Sequence, residues 1–446
     1  MRQESLQATV EQGGQERAQA PEVGTYYIWT IGCQMNAADS LRLAEELAAR
    51  GYREVARPEE ADLVVLNTCV VRASAEDKAL GRLASLRPLK ERWPQKTLVV
   101  AGCLVGDVEE LRQRFPWVDL FLPPSQWGEL LARLGPGPGE GVVFPPSPVS
   151  AYVPIVYGCD HFCTYCIVRL RRGRLRSRPI PEVREEVACL VARGAREVVL
   201  LGQNVDAYGQ DLGDGTDLAR LLYAIHDTEG LWRIRFLTSH PGDMRDDLIQ
   251  AVATLPKVCE QFELPVQSGS NAVLRRMGRT YTVEEYRRLV EAIRERVPGA
   301  ALATDVIVGF PGETVAEFEE TLRLLAEVRF DVVHVAAYSP RPGTPAARLP
   351  DDVPAEEKER RRRAVEELQE GIAREINQGL LGQVVEVLVE DLHRGKWRGR
   401  TRTNKLVFLS DPRDLRGMLV LARIAWAGPW SLQGEVVALA SPPSPI

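Results

Sequence analysis

The hydrophobic positions of this chain fall into short unbroken apolar runs separated by amphipathic stretches. Between residues 25 and 134 the runs 25–31 (TYYIWTI), 62–67 (DLVVLN), 97–101 (TLVVA) and 118–122 (VDLFL) read as buried parallel strands. Helical stretches lie between them; 39–50 (DSLRLAEELAAR) opens on an Asp/Ser cap and stops at Gly51. This alternation predicts a doubly wound α/β sheet. Residues 135–150 (GPGPGEGVVFPPSPVS) read as a linker. Further strands are predicted at 152–157, 196–201, 233–237, 260–266, 301–309 and 331–338, most of them separated by helices. Six such strands suggest a partial or complete (β/α) barrel with its chemistry at the C-terminal strand ends. A charged helix spans 354–379. The runs 384–389, 406–409, 418–424 and 434–439 are short and divided by Gly, Asn and Asp, the pattern of a small all-β barrel. The expected organisation is an α/β multidomain chain: a polar tail (1–24), an N-terminal α/β domain (25–134), the linker (135–150), a barrel domain (151–375) and a C-terminal β-barrel domain (376–440).

Composition narrows the class. With 446 residues, 45% of them hydrophobic and 26% charged, the chain can bury several cores. Its net charge of −6 argues against a surface coated throughout in nucleic acid but leaves room for local basic patches. The N-terminal stretch is polar, and no apolar run approaches the ~18 residues that span a bilayer, so a cytoplasmic protein without membrane contact is expected. In that reducing setting the 8 cysteines are free thiols, nucleophiles or metal ligands rather than disulfides.

Six of the cysteines form two sets. Cys159, Cys163 and Cys166 lie in 158–166 (GCDHFCTYC), a CxxxCxxC pattern directly after a predicted strand. Three thiolates in one loop can hold three corners of a 4Fe-4S cluster, leaving one iron open. Zinc is the rival, with His161 as a fourth ligand, although a structural zinc prefers four closed protein ligands. Cys33, Cys69 and Cys103 each stand at or just past a predicted strand end, in TIGC, LNTC and VAGC. Loops at the carboxyl ends of neighbouring parallel strands converge, so these three can share one sheet edge. Gly32, Thr68 and Gly102 beside them would admit a bulky group. Each cysteine alone would read as a buried structural thiol; three in register favour a second cluster. Cys189 and Cys259 are read as buried, non-functional thiols. His240 reads as structural or cavity-lining, and His334 as a core histidine.

The CxxxCxxC loop at the start of a (β/α) barrel resembles the radical S-adenosylmethionine (SAM) superfamily. The resemblance implies that the open iron of a cluster on Cys159, Cys163 and Cys166 chelates SAM, with Tyr165 against the adenine. It implies SAM contacts from Gly202, Gln203 and Asn204 in 202–204 (GQN), and from Asp305 and Ile307 in 305–313 (DVIVGFPGE). Two cysteine trios, one in an N-terminal α/β domain and one in such a barrel, followed by a small β-barrel, resemble the methylthiotransferase family over about residues 25–440. Within it, 33–36 (CQMN), 67–72 (NTCVVR), 201–208 (LGQNVDAY), 264–270 (LPVQSGS), 338–347 (YSPRPGTPAA) and 399–408 (GRTRTNKLVF) are most similar to the branch that acts on tRNA. These segments add Gln267, Ser268 and Tyr338 to the implied SAM contacts. The implied cofactors are two 4Fe-4S clusters and SAM, with all six cysteines as metal-holding catalytic residues. The implied reaction inserts sulfur at carbon 2 of an isopentenylated adenosine beside the anticodon and then methylates it. The near alternatives are a threonylcarbamoyl-adenosine or a ribosomal-protein aspartate as substrate; a non-enzymatic RNA-binding Fe–S sensor is an alternative of another class.

The implied partners are tRNA at its anticodon stem-loop, a reducing electron donor and a sulfur donor, with the chain acting as a monomer. Residues 169–178 (RLRRGRLRSR) carry six Arg, among them Arg171, Arg172 and Arg174. Residues 394–405 (RGKWRGRTRTNK) carry six Lys/Arg and no acid. Arg pairs with phosphate and unpaired bases stack on aromatics, so Lys396, Trp397, Arg398, Arg400, Arg402 and Lys405 are expected RNA contacts on a barrel that resembles the TRAM module. A solvated charged surface is the plain alternative for either run.

Overall fold

The computed structural model describes residues 23–70, 73–136 and 147–441. Most of the expected tail, positions 71–72 of the NTCVVR segment, and residues 137–146 of the expected linker lie outside the described residues.

The first layer is a five-stranded parallel sheet: β1 (Gly24–Thr30), β2 (Tyr52–Glu54), β3 (Leu63–Thr68), β4 (Thr97–Gly102) and β5 (Leu120–Leu122), ordered 2-1-3-4-5. Every residue of β3 is buried. Its alternate side chains serve two cores. Val64 and Leu66 meet Val100, Ala79 and Leu83 on one face, while Leu63 and Val65 meet Val99, Leu43 and Leu47 on the other. Burial on both faces is why β3 and β4 read as continuous apolar runs. The strand order reverses between β1 and β3, and in such sheets ligands bind beyond the carboxyl ends at that reversal.

The second layer begins with β6 (Ser150–Pro154), followed by a short antiparallel pair, β7 (Val156–Tyr157) and β8 (Arg176–Ser177). It continues through β9 (Glu197–Leu201), β10 (Arg233–Phe236), β11 (Gln261–Glu263), β12 (Ala301–Val308) and β13 (Val332–Ala337). Two parallel three-stranded sheets, 10-9-6 and 11-12-13, are joined by a bridge between Ile234 and Val258. The six expected strands thus form an open (β/α) barrel. Its helices pack outside on one continuous core. Two start on capping boxes, Thr282 with Glu285 and Thr314 with Glu317, each of which satisfies orphan amide donors. The charged helix is Ala355–Gln378; Val365 joins the barrel core and Gln369 donates to the Phe330 carbonyl.

The third unit is a closed five-stranded barrel of β14 (Val384–His393), β15 (Lys396–Thr401), β16 (Leu406–Leu409), β17 (Leu419–Ala427) and β18 (Leu432–Leu439). Among the described residues, no helix is long and apolar enough to cross a membrane.

Two expectations fail on burial. Cys189 is exposed on helix Ile180–Ala192, whose buried positions are Val183, Val187, Leu190 and Val191. His334 is exposed too: Val333 and Val335 pack against the outer core, which leaves His334 on the opposite face of β13.

Candidate active site

The first cysteine loop is built by its backbone. Gly158 has φ +68° and lies so close to the Arg174 carbonyl that a Cβ would sit 2.1 Å from that oxygen. The turn then runs through Cys159, Cys163 and Cys166, with the Cys166 amide donating to the Cys163 carbonyl at 3.1 Å. Thr164 anchors the loop, its amide donating to Met277 O at 2.9 Å and its hydroxyl to Arg276 O at 2.9 Å. Arg279 donates to Cys163 Sγ at 3.5 Å, to Pro265 O at 2.8 Å and to the Tyr281 hydroxyl at 2.9 Å. Burial pushes the Cys166 thiol up to about 12, with the charge of Cys163 adding. Burial also raises Cys159. Such thiols ionise when a cation compensates them, and iron is such a cation.

Beside this loop lie the expected SAM contacts. Tyr165, Ile307 and Tyr338 pack in one apolar cluster with Phe310, Val273 and Met277. Gly202 passes β7 so closely that a Cβ would sit 2.3 Å from Val156 Cγ1. Asn204 Nδ2 donates to Asp243 Oδ2 at 2.5 Å. That same oxygen bonds His161 Nε2 at 2.5 Å, and the His161 ring stacks on His240 with centroids 3.8 Å apart. Among the described residues, Asn204 Oδ1, His240 Nε2 and Tyr338 Oη are buried polar atoms without a partner. They follow β9, β10 and β13, at the face where barrel enzymes place chemistry. A polar ligand such as SAM fits those orphaned atoms. Gln267 has φ +71° and bridges β12 through its backbone to Asp305 O and from Ile307 N. Ser268 is fully buried, and its hydroxyl lies between Thr321 Oγ1 and the Ser270 amide. Asp305 and Gln203 are half-buried.

The second set gathers at the sheet's reversal. Cys33 is the N-cap of helix Gln34–Ala49, Cys69 follows β3, and Cys103 follows β4. Gly32, at φ +143°, could not carry a side chain, because its Cβ would lie 2.4 Å from Cys69 Cβ; Gly102, at φ +92°, would meet Thr68 O at 2.3 Å. Cys69 bonds both other thiols. That bond is the largest influence lowering Cys33 to about 6, helped by the amides of Asn36 and Met35 and the charge of Arg172. The Cys69 bond likewise lowers Cys103 to about 7, with Arg172 adding. Thiols at a helix N-terminus beside an arginine favour the thiolate that iron requires. An amide network fixes the floor: Asn36 Nδ2 donates to Asn67 Oδ1 (3.0 Å) and Thr68 O (2.8 Å), and Asn67 Nδ2 donates to Asn36 O and Ser40 Oγ, both at 2.9 Å.

The two sets adjoin. Ile167, directly after Cys166, is buried in the same apolar cluster as Cys103, Leu104 and Leu66. Helix Gln34–Ala49 packs Met35 and Ala38 on Val199 and Leu201 of β9. Arg42 donates to Tyr157 Oη and pairs with Glu186 at 3.2 Å, while Arg341 pairs with Glu76 at 2.7 Å.

The basic runs are used differently from expectation. Arg172 is buried against Asp39 and the second cysteine set. Trp397 is a core residue of the small barrel, its Nε1 donating to Asp411 O. Loop 400–405 docks on the N-terminal ends of the large barrel's strands. Buried Arg233 donates to Arg400 O at 2.7 Å, and Arg235 to Arg402 O and Thr401 O. Arg402 pairs with Glu260 at 2.7 Å and Lys405 with Asp331 at 2.6 Å. Arg172, Trp397, Arg402 and Lys405 are thus each engaged within the protein by packing or by acidic partners. The Arg400 guanidinium braces Asn404. Lys396 is exposed; Arg398 pairs with Asp391 and Arg174 with Asp160 near the surface. Arg171 lies against Gly106.

Comparison with known proteins places this geometry. Residues 153–325 match the radical SAM superfamily, 25–123 the uncharacterized protein family UPF0004, and 378–437 the TRAM domain. The chain is 51% identical over 434 residues to the tRNA-2-methylthio-N(6)-dimethylallyladenosine synthase of Roseiflexus sp. (strain RS-1), covering 94% of this chain and 91% of that one. It belongs to that family of synthases. The proteins of the same name from Chloroflexus aurantiacus and Dehalococcoides mccartyi (strain 195) are 50% and 49% identical, with coverage of 94% and 93% of this chain and 93% and 99% of theirs. Among solved structures, the radical SAM methyltransferase TsrM from Kitasatospora setae shares the fold, with TM-score 0.53 at 15% identity, covering 72% of this chain and 76% of that one. The radical SAM family implies a 4Fe-4S cluster and SAM, and the chain is an enzyme of the radical SAM methylthiotransferase type.

Proposed function

We propose that this enzyme replaces the hydrogen on carbon 2 of an isopentenylated tRNA adenosine, beside the anticodon, with a methylthio group. The observation that carries the reading is the burial of Ile167, next to Cys166, in the same apolar cluster as Cys103, in a chain about half identical to synthases of that name. Two 4Fe-4S groups and SAM would supply, respectively, the electron, the bound sulfur, and the radical and methyl chemistry that an unactivated C–H bond requires.

The protein's own contribution is placement. Cys159, Cys163 and Cys166 hold the first group, and Arg279 offsets charge at Cys163. Tyr165, Ile307 and Tyr338, which share one apolar cluster, would wall the adenine of SAM. Asp243 fixes Asn204 so that its free carbonyl oxygen can accept from the SAM amino group. Cys33, Cys69 and Cys103 hold the second group beyond β1, β3 and β4. Lys396, Arg398, Arg400, Arg171 and Arg174 remain as the tRNA-facing cations. The chain acts as a cytoplasmic monomer, and a reductant and a sulfur donor complete the cycle.

Mass spectrometry of tRNA nucleosides from a deletion strain tests this. Loss of the methylthio-isopentenyl nucleoside, with its isopentenyl precursor accumulating, is expected. An intact methylthio-isopentenyl nucleoside beside a missing threonylcarbamoyl derivative would overturn it.

A further inference from the structure

Arg172 reaches from the chain that leaves the first cysteine set into the second. It ends the short helix Val168–Arg172, which starts two residues after Cys166. Ile167 is sunk in the N-terminal core, and Arg171 lies so close to Gly106 that a Cβ there would collide with its guanidinium. These contacts drive Arg172 into the crevice beyond β1 and β4. Its side chain is 3% exposed and that of Asp39 2%. Both terminal nitrogens face Asp39 Oδ2 or Ser125 Oγ: Nη1 and Nη2 lie 3.3 Å from Oδ2, and Nη1 lies 3.4 Å from Oγ. Ser125 in turn donates to Asp39 Oδ1 at 2.7 Å. The guanidinium also bonds Cys103 and acts by charge on Cys33.

Three thiolates around an iron–sulfur group bury negative charge, and a buried charge is costly unless compensated. Buried Arg172 lies beside Cys103 and within reach of Cys33. We infer that Arg172, carried by the chain that leaves the first cysteine loop, is a positioning residue of the second: its guanidinium compensates the negative charge held by Cys33, Cys69 and Cys103, and Asp39 and Ser125 fix it there. The inference rests on reading those three cysteines as cluster ligands. A fixed positive charge favours the more reduced, more negative state, so it raises the midpoint potential of the group beside it.

The test uses the full chain carrying C159A, C163A and C166A, reconstituted anaerobically with iron and sulfide. About four iron per chain are expected, held by the remaining trio. In that background R172Q should lower the midpoint potential in an optical or EPR-monitored redox titration, or lose the iron, and R172K should restore the parent value. Four iron with an unchanged potential in R172Q would overturn the inference and leave the cluster reading standing. R172K failing as badly as R172Q would also overturn it, because charge would then not be what the site uses. Absence of iron from the triple variant itself would overturn both the inference and the cluster reading.

Discussion

Ile167 and Cys103 share one apolar cluster, although they belong to different layers of the molecule and to different cysteine sets. One backbone step from Ile167 is Cys166. The shared core therefore ties the first cysteine loop to the layer that carries the second set, as a side chain buried in a close-packed core must. Truncating it as Ile167→Ala should cost about 2–4 kcal/mol. Thermal or urea unfolding would measure that loss, and a wild-type midpoint would mean that the layers are not joined there.

Dividing the labour between the sets gives a second expectation. Cys163→Ala should abolish SAM cleavage, read as 5′-deoxyadenosine after anaerobic reduction. Cys69→Ala should leave that cleavage largely intact while stopping sulfur insertion into tRNA. Joint loss of both activities in Cys69→Ala would contradict the assignment.

Trp397 and Arg402 separate structure from RNA contact. Trp397→Ala should destabilise the chain by about 3–5 kcal/mol, because it empties a barrel core. Arg402→Ala strands Glu260 and should lower the unfolding midpoint with no change in the salt dependence of tRNA binding. Lys396→Ala should behave in the opposite way, keeping stability while reducing the salt slope by about one.

Two buried groups near the cavity oppose each other in pH. Burial pushes Asp206 up to about 7, against hydrogen bonds from the His240 amide and the Ser239 hydroxyl. Burial also pushes His240 down to about 3, helped by the charges of Arg279 and His161. A raised carboxylate makes the folded state hold a proton that the unfolded state has lost, so Asp206 costs stability as pH rises from about 4 to 7. A depressed histidine does the reverse: its contribution is present above about 6.5 and is lost as pH falls. Between about pH 4 and 6.5 the two slopes cancel. Asp206→Asn removes one of them. Relative to the parent, its stability should then fall on acidification by about 1.4 kcal/mol per pH unit across that window. Parallel pH–stability curves for the two proteins would contradict this.

The strands were legible because residues buried on both faces leave continuous apolar runs, as in 62–67 and 97–101. Cys33, Cys69 and Cys103 were legible because each closes such a run, and Cys159, Cys163 and Cys166 because they share one short loop. What could not be read was the destination of the charges. Arg172 finds Asp39 across 133 positions, and Arg402 finds Glu260 across 142. A basic run announces its charge but not which of its members turns inward. Trp397 alternates with basic residues along β15, so every second position enters the barrel while its neighbours face out. The Asn36–Asn67 network carried no local signal either, since Asn36 lies in the first turn of a helix and Asn67 near the end of a strand 31 positions away.

Metal stoichiometry tests the central claim most directly. Anaerobically reconstituted chain should bind about eight iron with matching sulfide, and about four when either Cys33, Cys69 and Cys103 or Cys159, Cys163 and Cys166 are replaced by Ala. About four iron in the unaltered chain, undiminished by removing the Cys33 trio, would contradict it.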